Sequence, residues 1–112
     1  MNPSDLYANT LAVLTSARTT MLSPAWQAAL DESTADQRLA ASRELIQVQQ
    51  GILALSNESL SDITASLQSN QQALSSAISS LQNSLKTIDQ VSNLISSVSS
   101  LLQTVAQIVP LL

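Results

Sequence analysis

Residues 60–109 read LSDITASLQSNQQALSSAISSLQNSLKTIDQVSNLISSVSSLLQTVAQIV, and this stretch decides the fold. Its aliphatic residues run Leu60, Ile63, Leu67, Leu74, Ile78, Leu81, Leu85, Ile88, Val91, Ile95, Val98, Leu102, Val105 and Val109, in steps of 3 or 4 with one gap of 7 across Asn70 and Gln71. Such spacing places them along one stripe of an amphipathic helix. Every seventh residue from Leu60 is aliphatic: Leu60, Leu67, Leu74, Leu81, Ile88, Ile95, Leu102 and Val109. That repeat reads as a heptad packing seam. No alternation of period two is sustained and no turn residues interrupt the run, so a strand reading fails despite the many Ser and β-branched residues.

Upstream the sequence is also helical but interrupted. Asn2 or Ser4 with Pro3 opens a first helix carrying Leu6, Leu11, Leu14, Ala17, Met21 and Leu22. Ser23-Pro24 is a stop and restart, Ser as N-cap and Pro in the first helical position. A short helix over 25–30 holds Trp26, and Thr34 with Gln37 forms a capping box for the next. That helix shows Leu45, Val48, Ile52 and Leu55, and contains the chain's one glycine, Gly51. Between Leu55 and Leu60 the stripe slips by one residue, which predicts a turn over 56–59.

The turn divides the 112 residues into two arms of similar length, about 4–55 and 60–109. The expected fold is therefore all-α: a single domain built as a long helical hairpin of coiled-coil-like helices, interrupted near 23–24 and 31–34. Each arm would extend roughly 75 Å at 1.5 Å per residue. One alternative is a continuous helix over 34–109 packed in a bundle. It is supported by Leu39, Ile46 and Leu53, which continue the seven-residue repeat upstream without losing phase.

From residue 87 onward the stripe widens. A third aliphatic column, Leu94, Leu101 and Ile108, joins Ile88/Ile95/Leu102/Val109 and Val91/Val98/Val105/Leu112. A third column needs more than one partner helix, because burial of each such side chain is worth roughly 1.5–3 kcal/mol. The sequence predicts that other copies of the chain supply the cover. The expected self-association interface is Leu60, Leu67, Leu74, Leu81, Ile88, Val91, Leu94, Ile95, Val98, Leu101, Leu102, Val105, Ile108 and Val109. Its flanks are Ser, Asn, Gln and Thr, small neutral groups that let helices approach closely.

Charge is scarce and unevenly placed. Charged residues make up 11% of the chain, against about 25% in ordinary domains. Ten of the twelve charges lie in residues 1–62, and only Lys86 and Asp89 follow. Residues 90–112 are an uncharged stretch long enough to span about 30 Å of hydrocarbon, which raises membrane contact as an alternative. Against it, polar residues recur throughout, Pro110 sits near the end, and no Lys or Arg marks a polar face.

The composition excludes several kinds of chemistry. With no His and no Cys there is no soft-ligand metal site and no Ser–His or Cys–His pair. One glycine cannot form a phosphate-cradling loop. A net charge of −4 argues against nucleic-acid binding, which starts from phosphate neutralisation. The N-terminus lacks a conventional signal peptide, leaving a cytoplasmic location or export without a cleaved signal as the expectation.

The remaining polar residues read as structural. Glu58 and Asp62, four residues apart, suit a helix N-terminus better than acid–base work. Asp31, Glu32 and Asp36 match no calcium-loop spacing, and Lys86 with Asp89 is a weak surface pair. Asn57-Glu58-Ser59 reads as a capped turn rather than a glycosylation sequon. Trp26 is expected as a packing anchor near the level of Ile88. The expectation is thus a non-enzymatic, cofactor-free structural or interaction protein that forms a homo-oligomer through its second arm. Membrane activity (pore, translocation component or lipid-surface coat) is the alternative, and an adaptor or chaperone for a partner protein the third reading.

Overall fold

Helices begin where the sequence supplies oxygen acceptors for the free N–H groups of a first turn. The computed structural model describes residues 2–109. Asn2 Oδ1 accepts from the Asp5 backbone N–H at 2.8 Å, with Pro3 in the first turn, and opens α1 (Pro3–Met21). Ser23 Oγ accepts from the Trp26 N–H at 3.2 Å and opens α2 (Pro24–Asp31). Thr34 and Gln37 exchange two side-chain-to-backbone bonds of 3.1 Å, the reciprocal capping box that opens α3 (Ala35–Asn57). The expected turn falls at Glu58-Ser59, followed by α4 (Leu60–Ser69), α5 (Gln71–Ser84) and α6 (Val91–Ala106).

Asn70 separates α4 from α5, at the seven-residue gap in the aliphatic stripe. Its side-chain amide donates to the Ser66 carbonyl at 2.9 Å, the same oxygen that its backbone N–H reaches at 3.1 Å. Asn70 is the C-cap of α4 and the N-cap of α5, and the Leu74 N–H reaches its carbonyl at 2.8 Å, the first backbone bond of the new helix. Both α4 and α5 pack on α1, and together they form one side of the bundle.

The long helical hairpin is not what forms, and neither is the continuous helix over 34–109. The chain folds back twice more, through α2 and through residues 85–90. The Cα atoms span 43 × 25 × 19 Å, far less than two arms of roughly 75 Å would need. Each arm is itself a helix pair: α1 with α3, and α4–α5 with α6. The four long rods form a ring in which α1 packs on α3 and α5, and α6 packs on α5 and α3. Thus α3 and α4–α5 lie across the diagonal, and the turn at 58–59 crosses one end of the bundle.

Three contacts fix the directions. The Tyr7 hydroxyl donates to the Leu55 carbonyl at 2.7 Å, setting α1 antiparallel to α3. The Ser84 and Ser97 hydroxyls meet at 2.7 Å across the α5–α6 pair. Gln37 Nε2 donates to Ser92 Oγ at 2.7 Å, so α3 and α6 start at the same end and run parallel.

The reason for the fold-back at 85–90 lies in the widened stripe. Folded onto α5 and α3, α6 has two neighbours to cover its three aliphatic columns. The chain supplies within itself the cover that the sequence assigned to other copies. Residues 85–90 contain no Gly or Pro, but turn-type backbone bonds (Lys86 N–H to Asn83, Thr87 to Ser84, Gln90 to Thr87) carry the reversal. Lys86 and Asp89 consequently sit in this turn, not on a helix face.

Candidate functional site

The residues expected to form the self-association interface line the inside of the bundle. Leu67, Leu74, Leu81, Val91, Leu94, Val98, Leu101, Leu102, Val105 and Val109 are buried, and Leu60, Ile88, Ile95 and Ile108 are half-buried against them. Leu112 and Pro110 lie outside the described residues. Burial of this set inside one chain removes the physical argument that placed other copies on it. Among the described residues, no helix is long and apolar enough to cross a membrane.

Trp26 is 1% exposed and belongs to the same core, which joins α2 to α1 and α3. Its helix does lie at the level of Ile88: Ala25, Ala28 and Ala29 border a cleft whose far wall carries Ile88 and Val91. Trp26 itself faces the other way, bordering a small recess with Met21, Leu30, Ala41 and Leu45.

Among the described residues, the large aliphatic side chains left exposed are Leu22, at the end of α1, and three on α3. Its inner face is Ala41, Val48, Gly51 and Leu55, all buried, with Leu45 and Ile52 packed beside them. On the opposite side Leu39, Ile46 and Leu53 are 58%, 55% and 63% exposed. At 100° per residue these three sit within a narrow stripe pointing directly away from the core. They are seven residues apart, so the row is roughly 21 Å long. The sequence had shown the row, but as the upstream continuation of the interior seam. Two seven-residue repeats shifted by two residues, 39/46/53 and 41/48/55, occupy opposite faces of one helix, and periodicity alone does not say which faces the core.

The flanks of the row are nearly neutral. Ser42, Arg43, Gln49 and Gln50 border it, and Arg43 is the single charge among them. Arg38, further round the helix, is turned back to the α2–α3 junction, where Nη1 donates to the Ser33 carbonyl at 2.6 Å. Single exposed leucines are ordinary on a protein surface. Three in register on one helix form an interrupted apolar row, each about 10 Å from the next along the axis.

Beside the row, where α3 meets α6, Glu44, Gln47, Gln50, Ser99, Leu102 and Gln103 border an open cleft of about 470 Å³. Glu44 Oε2 is shielded from solvent and accepts no hydrogen bond. Burial pushes the Glu44 carboxyl above its ordinary range, with the Arg43 guanidinium opposing the shift. The other bordering polar groups are three amides and the Ser99 hydroxyl, and Glu44 Oε2 makes no hydrogen bond to any of them. Most acidic residues elsewhere end or begin helices: Asp31 closes α2, Glu32 and Glu58 are C-caps, and Asp5, Asp36 and Asp62 lie in first turns, while Asp89 sits in the 85–90 turn. Among the described residues, no group of three or more acidic, His or Cys side chains is placed to hold a metal ion.

Comparison with family models, with curated proteins and with solved structures gives no match for this chain.

Proposed function

We propose that this protein is a non-enzymatic structural or interaction module: a four-helix scaffold that presents the outer face of α3 to a helix of another protein molecule. The observation that carries the reading is the row Leu39, Ile46 and Leu53, more than half exposed in register on a helix whose opposite face is already packed. A facing helix packs on two seam positions per heptad, and the row supplies the apolar residue at one of them. Of the flanking residues only Arg43 is charged, so a helix approaching over Ser42, Gln49 and Gln50 desolvates little charge. The core-lining set on α4–α6 stabilises the scaffold, while α3 does the contacting.

The experiment compares the native chain with the triple substitution Leu39→Gln, Ile46→Gln and Leu53→Gln. Both are chemically cross-linked in the native cells, and all adducts, including those between copies, are identified. Because the three side chains point away from the core, the variant should keep its helicity and lose the adducts formed by the native chain. An unchanged adduct pattern in a folded variant would falsify the reading.

A further inference from the structure

We infer that the cleft between α3 and α6 binds a primary ammonium group carried on an unbranched alkyl chain, with Glu44 as its counter-ion. The site lies beside the outer row of α3 and is independent of the contact-face reading. Its walls are set by register. Gln37 and Ser92 are hydrogen-bonded at the end where the two parallel helices begin. Glu44 and Ser99 each stand seven residues further on, so they lie level, roughly 10 Å along the axis. Gln47 and Leu102 come level about one turn later, in a cleft of about 470 Å³.

The cleft holds one charge, and nothing in it pairs with that charge. Glu44 is half-buried, and its Oε2 is shielded from solvent without receiving a hydrogen bond. Arg43 acts on the carboxylate through its charge but donates nothing to Oε2. The other wall supplies no cation, because no charged residue follows Asp89 in the chain. A carboxylate withdrawn from water without a donor is destabilised. A group that brings both positive charge and N–H donors offsets that loss.

The rest of the wall selects among cations. Ser99 Oγ and the side-chain carbonyls of Gln47, Gln50 and Gln103 are acceptors not taken up by other described residues. An ammonium head has three N–H donors, enough for Glu44 and two of these acceptors together. Leu102 and Ala106 supply apolar surface for a methylene chain, as the stem of a lysine requires. The head group enters from the cleft, and rotation about the last side-chain bond of Glu44 offers it either oxygen.

Heteronuclear NMR of the full chain tests the site, with n-butylammonium chloride as the probe. Backbone amides at Glu44, Gln47, Ser99 and Gln103 should shift saturably, and Glu44→Gln should weaken the affinity roughly tenfold. Circular dichroism of the variant confirms that the bundle is intact. Tetramethylammonium chloride at equal ionic strength has the charge without N–H donors, and n-butanol has the chain without the charge. Each should also bind about tenfold more weakly than n-butylammonium. An end-blocked peptide with a single lysine separates the two sources of the head group. Tighter binding than n-butylammonium assigns the site to a lysine of another protein, and equal or weaker binding assigns it to a free amine.

Binding that is unchanged in Glu44→Gln, or matched by tetramethylammonium, overturns the proposal. So does the absence of saturable shifts with both primary ammonium probes. The triple Gln substitution of the outer row should leave n-butylammonium binding as it is, so the cleft and the contact face stand or fall separately.

Discussion

Glu44 holds a carboxylate oxygen away from water with no donor to serve it, in a chain with few charges to spare. Its pKa is raised above the ordinary 4.5, mainly by burial, against the opposing pull of Arg43. A carboxyl with a raised folded-state pKa binds its proton more tightly folded than unfolded, so stability falls as pH rises through the interval between the two values. Ionised Glu44 therefore costs stability at neutral pH. Glu44→Gln keeps the shape and removes the charge, and should raise Tm at pH 7. The difference between variant and native chain should close as pH falls below about 4.5, where the native carboxyl is protonated in both states. An advantage that persists at pH 3 would mean that repacking, not charge, is responsible. Tyr7 is the opposite case, a polar group with a specific partner 48 positions along the chain, the carbonyl of Leu55. Tyr7→Phe removes that bond at the junction of α1 and the end of α3. The Leu55 carbonyl keeps the Glu58 N–H at 3.2 Å, so it is not orphaned. The loss should be about 1 kcal/mol, a fall in Tm of roughly 4 °C by calorimetry.

The elements with explicit punctuation are those that the sequence specifies locally. Asn2-Pro3, Ser23-Pro24 and Thr34…Gln37 each name the oxygen that satisfies a first-turn N–H, and all three helices begin there. The turn after Asn57 was legible from a one-residue slip in the stripe. The reversal at 85–90 was not, because no residue in it is barred from a helix. It is dictated from a distance, by the need of Leu94, Leu101 and their columns for two neighbours. For the same reason the candidate contact face was half legible. Leu39, Ile46 and Leu53 stood out as a heptad row, yet only the packed bundle shows them pointing outward. Paired substitutions separate the two kinds of leucine. Leu101 on α6 is fully buried, so Leu101→Ala should cost roughly 2–5 kcal/mol in chemical denaturation. Leu53 on α3 is 63% exposed, and Leu53→Ala in dilute, monomeric protein should change stability by no more than about 0.5 kcal/mol. Equal costs at the two positions would contradict the assignment of inner and outer faces.

Across the whole molecule, the Ser-rich second arm has a role different from the one its composition suggests. Its aliphatic columns supply half of the bundle's interior, and its Ser, Gln and Asn residues form a neutral outer coat. The polar but uncharged surface leaves little electrostatic repulsion between copies, so weak apolar contacts count for more than on a highly charged protein. Solution scattering tests the architecture. The bundle has a Cα radius of gyration of 13.8 Å, close to the roughly 13 Å expected of a globular chain of this length. A hairpin with two arms of about 75 Å would give about 22 Å. Extrapolated to zero concentration, the measured value should lie near the smaller figure, allowing for the hydration layer. A value near the larger one would restore the extended hairpin and expose the α6 columns again.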